Sequence, residues 1–301
     1  MLHDKVVLVT GAGGGIGRDF ALAFAAHGAR VVVNDLGTSV AGEGASTGPA
    51  QKVVDEIRAR GGEAVASTES VAEWESANRI VKTAIDAYGH LDCVVNNAGI
   101  LRDRFFFNMS VEEWRAVVDV HLNGAFYVSR AAAPYFKSQN SGCYVHMTST
   151  SGLIGNLGQA NYSAAKLGIA GLSKSIALDM ARYKVRSNCI APFAWSRMIG
   201  SIPTETAEQK ARVERMKVME TAKIAPLAVF LASDAAQEVS GQIFAVRANE
   251  LFLMSQSRPI RSVHRADGWT PQGIAEHGMP ALKQSFFPLD RTQDVFTWDP
   301  L

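Results

Sequence analysis

The chain has 301 residues, 47% of them hydrophobic and 20% charged, with a formal net charge of +1. This composition describes a globular protein with ample core, and the length leaves a single large α/β domain open. The near-zero charge offers no long-range attraction for nucleic acid or an anionic membrane, and no apolar run reaches the ~18 residues of a spanning helix.

In chain order, short β-branched runs alternate with longer helical patterns. Strands are expected at Lys5–Thr10, Arg30–Asp35, Glu63–Ser67, Leu91–Asn96, Gly142–Ser149, Val185–Ala191 and Gln242–Val246. Their near-continuous apolar character suits a parallel sheet covered on both faces. Helices are expected between them, at Ile16–His27, Ala50–Arg60, Glu73–Tyr88, Val111–Phe136, Ala160–Arg182 and Thr221–Leu231. Ser110 and Glu113 form a capping box at the start of the fourth helix.

The alternation predicts a doubly wound parallel sheet of about seven strands, with ligands at the carboxyl ends of the strands. Leu36–Ala50, rich in Gly, Ser, Thr and Ala, reads as a long loop directly after the second strand. Residues 1–250 read as the main domain and residues 251–301 as an extension wrapped on it or on a partner. Within the extension Thr270 and Pro271 open a helix as N-cap and N1.

Cys93, Cys143 and Cys189 lie in apolar segments, at spacings that suit neither zinc nor a disulfide framework. Buried reduced thiols and no metal site are expected. The opening residues "MLHDKVVLVT" show no charged region followed by an apolar one, so a cytoplasmic location is expected.

Residues Val9–Phe20 read "VTGAGGGIGRDF", with glycines at 11, 13, 14, 15 and 17. The spacing G-x-G-x-x-G fails in every register, whereas T-G-x-x-x-G-x-G fits Thr10, Gly11, Gly15 and Gly17. The turn follows the first strand and opens a helix at Ile16, where backbone N–H groups and the helix dipole favour a pyrophosphate. Asp35, at the end of the second strand, can accept hydrogen bonds from both ribose hydroxyls of an adenosine and would repel a 2′-phosphate. No Arg or Lys lies between Gly11 and Gly17 or immediately after Asp35. NAD is therefore expected over NADP.

Tyr162 and Lys166 stand four apart on a predicted helix and share a face. A neighbouring ammonium favours the phenolate, so Lys166 is expected to lower the Tyr162 pKa. Ser149, thirteen residues before Tyr162, ends the fifth strand at the same cleft. A hydroxyl holding a carbonyl, a tyrosine passing a proton and a lysine beside it are the parts needed for hydride transfer with a nicotinamide.

"TGAGGGIG", "NNAG" (Asn96–Gly99), Ser149 and the Tyr162–Lys166 run resemble the short-chain dehydrogenase/reductase family, over about Lys5–Val246. "VVVNDLG", "NNAGILRDRFF", "VHLNGAFYVSRAA", "GNLGQANYSAAKLG" and "IAPFAWSRM" look like one subgroup. It comprises the dehydrogenase part of peroxisomal multifunctional enzyme type 2 and its bacterial homologues. The resemblance implies oxidation of a (3R)-hydroxyacyl-CoA to a 3-oxoacyl-CoA with NAD, in a homodimer or homotetramer. It implies Tyr162 as acid/base, Lys166 on the ribose and Ser149 on the substrate oxygen.

The resemblance further places Gly11, Gly15 and Gly17 in the phosphate turn with Ile16 beside it, while Gly13 and Gly14 are close-approach positions or incidental. Ser70 and Val71 fall near the adenine, Asn97 and Gly99 near the ribose or nicotinamide, and Ala194–Arg197, including Ser196, near the carboxamide. The extension of such proteins helps close the substrate site across a dimer.

The sequence departs from the family pattern at His121, where an asparagine is usual, and a proton-relay water or simple packing are its two readings. Phe193 and Trp195 are bulky where small or polar residues are usual, and "VRANE" stands in place of D-G-G. Trp195, Met198, Ile199 and Ile202 offer apolar contacts to an acyl chain or sterol-like ring, or plain packing. Arg258, Arg261, His264 and Arg265 form a basic cluster for CoA phosphates or a solvated face. A hydroxysteroid or other alicyclic alcohol dehydrogenase is the rival enzyme, and a nucleotide-binding regulatory protein is the rival outside catalysis.

Overall fold

Apolar runs that hide both faces must lie between two helical layers, and the structure shows that arrangement. It is a computed structural model that describes residues 1–44, 46–194, 206 and 218–301. The strands are β1 (Val6–Thr10), β2 (Arg30–Asn34), β3 (Glu63–Ser67), β4 (Cys93–Asn96), β5 (Gly142–Met147), β6 (Val185–Phe193), β7 (Ile243–Arg247) and β8 (Glu250–Leu253). They form one sheet in the order β3-β2-β1-β4-β5-β6-β7-β8. β1 to β7 run parallel, and β8 pairs antiparallel with β7.

The chain moves outward from β1 through β2 and β3, then returns to place β4 on the other side of β1. This switch point opens a crevice outside the carboxyl ends of β1 and β4. It is the frame on which the site is built.

The helices are α1 (Gly15–Ala26), α2 (Gly48–Ala59), α3 (Trp74–Tyr88), α4 (Val111–Val118), α5 (Gly124–Gln139), α6 (Thr150–Leu153) and α7 (Ala160–Met180), with a further helix at Ala225–Ala232. Phe20, Phe24, Val53 and Ile57 pack on one face of the sheet. Ile80, Val128, Phe136 and Tyr144 pack on the other. Fully burying each such side chain contributes about 1.5–3 kcal/mol, so both layers are held firmly. No helix among the described residues is long and apolar enough to cross a membrane.

The structure differs from the sequence-based expectation in two places. The helix expected over Val111–Phe136 is interrupted by a π-helical turn at Asp119–Asn123, which separates α4 from α5. The Ser110–Glu113 capping box at its start is present. The second difference is β8, an edge strand of four residues whose Leu251 and Leu253 remain exposed. It is too short and too half-exposed to stand out as an apolar run.

The extension has two parts. Thr270 caps a single turn through its bond from the Gly273 N–H, after which the chain forms a π turn at Ile274–Gly278 and a short helix at Met279–Lys283. The last residues come back to the main sheet: Phe296 packs on Phe193 and Phe252, and Thr292 donates its N–H to the Gly155 carbonyl at 3.0 Å.

Candidate active site

The glycine turn is shaped by close approach. A Cβ on Gly17 would lie 2.2 Å from the Gly11 carbonyl oxygen and 2.5 Å from Asn97 Nδ2, so α1 meets the sheet only because Gly17 has none. Gly13 faces the Asp35 carboxyl, where a Cβ would sit 2.8 Å from Oδ2. Gly15 differs, since its φ of +53° requires left-handed backbone while the space beside it is open. Ile16 follows it in the first turn of α1. Gly14, the N-cap, supplies no side chain, and that first turn carries no acidic residue. Its N–H groups can therefore meet an anion.

Asp35 lies just beyond β2 and accepts from the N–H of Gly13 (2.8 Å) and of Gly37 (2.7 Å). Its carboxylate is thereby held at the mouth of the glycine turn. Arg18, the nearest cation on α1, makes a paired contact with Glu56 at 2.7 Å.

Asn97 Nδ2 donates to the carbonyls of Thr10 and Gly11, each at 3.0 Å, and its own N–H donates to Thr10 Oγ1. Its amide therefore braces β4 against the glycine turn. Ser70 Oγ accepts from the Ala72 N–H, and Val71 packs against Gly124. Ala194 follows β6. Trp195, Ser196, Arg197, Met198, Ile199 and Ile202 lie outside the described residues.

Ser149 caps α6, its Oγ accepting the Ser151 N–H at 3.1 Å. The hydroxyl lies close enough to the Tyr162 phenol to draw its pKa down. Lys166, one turn along α7, is 4% exposed and donates from Nζ to the Met147 carbonyl at 2.7 Å. The ammonium stands over the Tyr162 ring, 5.5 Å from its centroid. Ser149, Tyr162 and Lys166 thus converge at the carboxyl end of β5.

The electrostatics differ from the expected lowering of the tyrosine by its lysine. Burial pushes the Tyr162 phenol up to about 12, with the Ser149 hydroxyl pulling it back and Asp103 adding to the rise. Burial also pulls the Lys166 ammonium down to about 7. Loss of water outweighs mutual attraction, because Nζ is turned to the Met147 carbonyl and the ring face rather than aimed at the phenol oxygen.

His121 sits on the π turn with Nε2 at 2.8 Å from the Ile100 carbonyl and 3.1 Å from the Ile100 nitrogen. Its Nδ1 is buried without a partner. A Cβ on Gly99 would strike the ring at 2.2 Å, which is why glycine closes the "NNAG" run. Burial pulls the imidazole pKa down to about 3, and Lys166 adds to the fall.

Two contributors were not singled out from the sequence. Buried Asn161 accepts the Tyr162 N–H with Oδ1 and donates from Nδ2 to the carbonyls of Arg102 and Glu113. Thr148 Oγ1 donates to the Lys166 carbonyl at 2.7 Å. Both flank residues already singled out, but only tertiary contacts reveal their partners. The basic cluster of the extension is exposed, with Arg265 paired to Asp267.

Residues 5–199 match the family model for short chain dehydrogenase. The chain is 45% identical over 275 residues to mouse peroxisomal multifunctional enzyme type 2, covering 91% of this chain and 36% of that protein. It is 40% identical over 284 residues to hydroxyacyl-CoA dehydrogenase ChsB1 of Mycobacterium tuberculosis, covering 90% and 86%. A short chain dehydrogenase from Mycobacterium avium superposes with a TM-score of 0.83 at 41% identity, over 95% of this chain and 97% of that one. A 7α-hydroxysteroid dehydrogenase, solved with NADH and 7-oxoglycochenodeoxycholic acid, gives 0.73 at 30% identity, over 82% and 94%.

The chain belongs to the short-chain dehydrogenase family and is an oxidoreductase acting on CH–OH groups with a nicotinamide cofactor. It spans about a third of the length of the multifunctional relative it matches.

Proposed function

We propose that this oxidoreductase interconverts a 3-hydroxyacyl-CoA, in its (3R) form, and the 3-oxoacyl-CoA, using NAD. The observation that carries the reading is the meeting of Ser149, Tyr162 and Lys166 beside a crevice that holds both the glycine turn and Asp35. The similarity to a protein named hydroxyacyl-CoA dehydrogenase supports the substrate class.

The crevice fits a dinucleotide. The open space beside Gly15 and the uncapped start of α1 suit a pyrophosphate, while the Asp35 carboxylate suits two ribose hydroxyls. Gly11, Gly13, Ile16 and Gly17 would line the phosphates, and Ser70 and Val71 the adenine side. Asn97, Gly99, Ala194 and Ser196 would lie toward the nicotinamide. A nicotinamide bound there would supply the hydride chemistry by which the C3 alcohol and the ketone interconvert.

The chain's own residues manage the proton. Ser149 holds the substrate oxygen, and Tyr162 takes the hydroxyl proton in oxidation or donates one in reduction. Lys166 would contact the cofactor ribose and, in its protonated form, place positive charge beside the phenol ring. With the phenol near 12, Tyr162 rests as the acid at neutral pH, so oxidation gains from rising pH and reduction from falling pH.

The exposed Val111, Trp114, Phe126, Leu167 and Leu178 on α4, α5 and α7 support a homodimer or homotetramer. The second reading, a hydroxysteroid dehydrogenase, is favoured by the likeness to the 7α-hydroxysteroid enzyme. A panel of (3R)- and (3S)-hydroxyacyl-CoA thioesters and hydroxysteroids, followed by NADH formation, separates the two. Highest kcat/KM on a (3R)-thioester supports the proposal, and highest kcat/KM on a steroid overturns it.

A further inference from the structure

The loop after β2 does not stand free. Gly37, with φ of +74°, turns back so that its N–H meets Asp35 Oδ1 and a Cβ would collide with the Ser46 carbonyl. The tip is closed by the Ser39 N–H on the Glu43 carbonyl at 2.8 Å and the Gly42 N–H on the Ser39 carbonyl at 2.9 Å. That closed tip rests on the segment after β4. The Leu101 N–H donates to the Val40 carbonyl at 3.1 Å, and Arg102 Nε to the Ala41 carbonyl at 2.7 Å. Arg102 also faces Glu43 at 3.7 Å, and Gly42 lies against the Ile100 side chain.

Topology gives these contacts a consequence. β1 lies between β2 and β4 in the sheet, so an arm that leaves β2 and lands beyond β4 crosses the carboxyl end of β1. The glycine turn is there. The arm has little apolar anchorage, since Val40 is 48% exposed and the contacts at its tip are mainly polar. Segments held in that way open at low cost compared with the sheet. Where the tip meets the segment after β4, the guanidinium–carbonyl bond of Arg102 is charge-assisted and the Leu101–Val40 bond is not, and charge-assisted bonds are about twice as strong as neutral ones.

Arg102 also faces the catalytic side. Its carbonyl accepts from Asn161 Nδ2 at 3.0 Å, and Asn161 Oδ1 accepts the Tyr162 N–H at 2.7 Å. The arm beside Asp35 and the start of α7 are therefore joined through this one residue.

We propose that Leu36–Gly44 is an arm closing over the dinucleotide crevice, and that Arg102 is the positioning residue that latches it and sets how fast the reduced cofactor leaves. The inference rests on the reading that a dinucleotide binds between the glycine turn and Asp35. Release requires the arm to lift, which breaks the Arg102 contacts with Ala41 and Glu43. Substitution at Arg102 leaves its backbone carbonyl, and so the Asn161 link, in place.

Stopped-flow fluorescence with NADH tests it on the full chain, comparing wild type with Arg102→Gln and Arg102→Lys. The dissociation rate constant is expected to rise by about tenfold in Arg102→Gln, as a charge-assisted bond is lost. Arg102→Lys, which keeps one charged donor, is expected to fall between. The association rate constant should not drop in either variant, whereas general damage to the fold would lower it. Wild-type binding of NADH with an unchanged dissociation rate in Arg102→Gln overturns the latch alone. Failure of the wild-type chain to bind NADH overturns the dinucleotide reading, and the latch with it.

Discussion

The imidazole of His121 stands edge-on to the ring of Tyr162, with 5.2 Å between ring centroids and 89° between planes. The same imidazole holds the backbone of Ile100 through Nε2. It thus joins the segment after β4 to the catalytic tyrosine proposed above. With its pKa drawn down to about 3, it does so as a neutral ring.

His121→Phe keeps an aromatic ring but loses the hydrogen bond, and should lower kcat by roughly tenfold, the order expected for one buried bond of about 1–2 kcal/mol. His121→Asn should recover part of the loss, because an amide can still reach a backbone group. The wild-type pH–rate profile should contain no limb from this histidine between about pH 5 and 8. A limb in that window that disappears in His121→Asn would assign the ring a proton-carrying role instead.

Tyr162→Phe removes the oxygen proposed to transfer the proton while keeping the ring. Turnover should fall by about two orders of magnitude or more, while NADH binding, followed by fluorescence, remains. Near-normal kcat in this variant would place the acid/base elsewhere.

Lys166 allows a stability test whose sign follows from burial. Its pKa is drawn down from 10.5 to about 7 in the folded chain. Between those values the unfolded chain holds a proton that the folded chain has released, so this residue favours folding increasingly as pH rises through the window. Its cost is largest below about pH 7. Lys166→Met should therefore gain stability relative to wild type as pH falls from about 10 to 6, by up to ~1.4 kcal/mol per pH unit. A difference in Tm that stays flat across that range would show that the ammonium is not desolvated as described.

The returning end of the extension is expected to carry stability. Phe296 lies between Phe193, Phe252 and Trp298, beside the Arg247 guanidinium. Phe296→Ala should cost about 2 kcal/mol in urea unfolding, less than a full core truncation because the ring is partly exposed. Removal of residues after Leu289 also deletes Thr292 and its bond to Gly155, so the loop following α6 should exchange its amides faster. No change in either measurement would mean that the end of the chain rests loosely on the sheet.

The readable parts of this protein were those in which one local pattern answers to one physical demand. β1, β4 and β5 are buried throughout, and unbroken apolar runs announce them. The glycine turn declared itself through spacing, and Gly13 and Gly17 prove to be required by what lies opposite, Asp35 and Asn97. Other features depend on partners distant in the chain. Nothing around Asp119–Asn123 signals a π turn, and nothing at Val40–Glu43 shows that Arg102 will hold it. Asn161 looks like an ordinary polar residue beside Tyr162 until its bonds to Arg102 and Glu113 are seen. β8 escaped notice because two of its four side chains face solvent.

The most direct test of the account is kcat/KM for NAD and for NADP with one (3R)-hydroxyacyl-CoA. The proposed reading puts the Asp35 carboxylate, held at the glycine turn, on the ribose, and Arg18 of α1 is paired to Glu56. NAD should be preferred by at least about tenfold, or ~1.4 kcal/mol, and Asp35→Ala combined with Leu36→Arg should shift the preference toward NADP. Equal kcat/KM for the two cofactors, or reduction of neither with this thioester, would contradict the account.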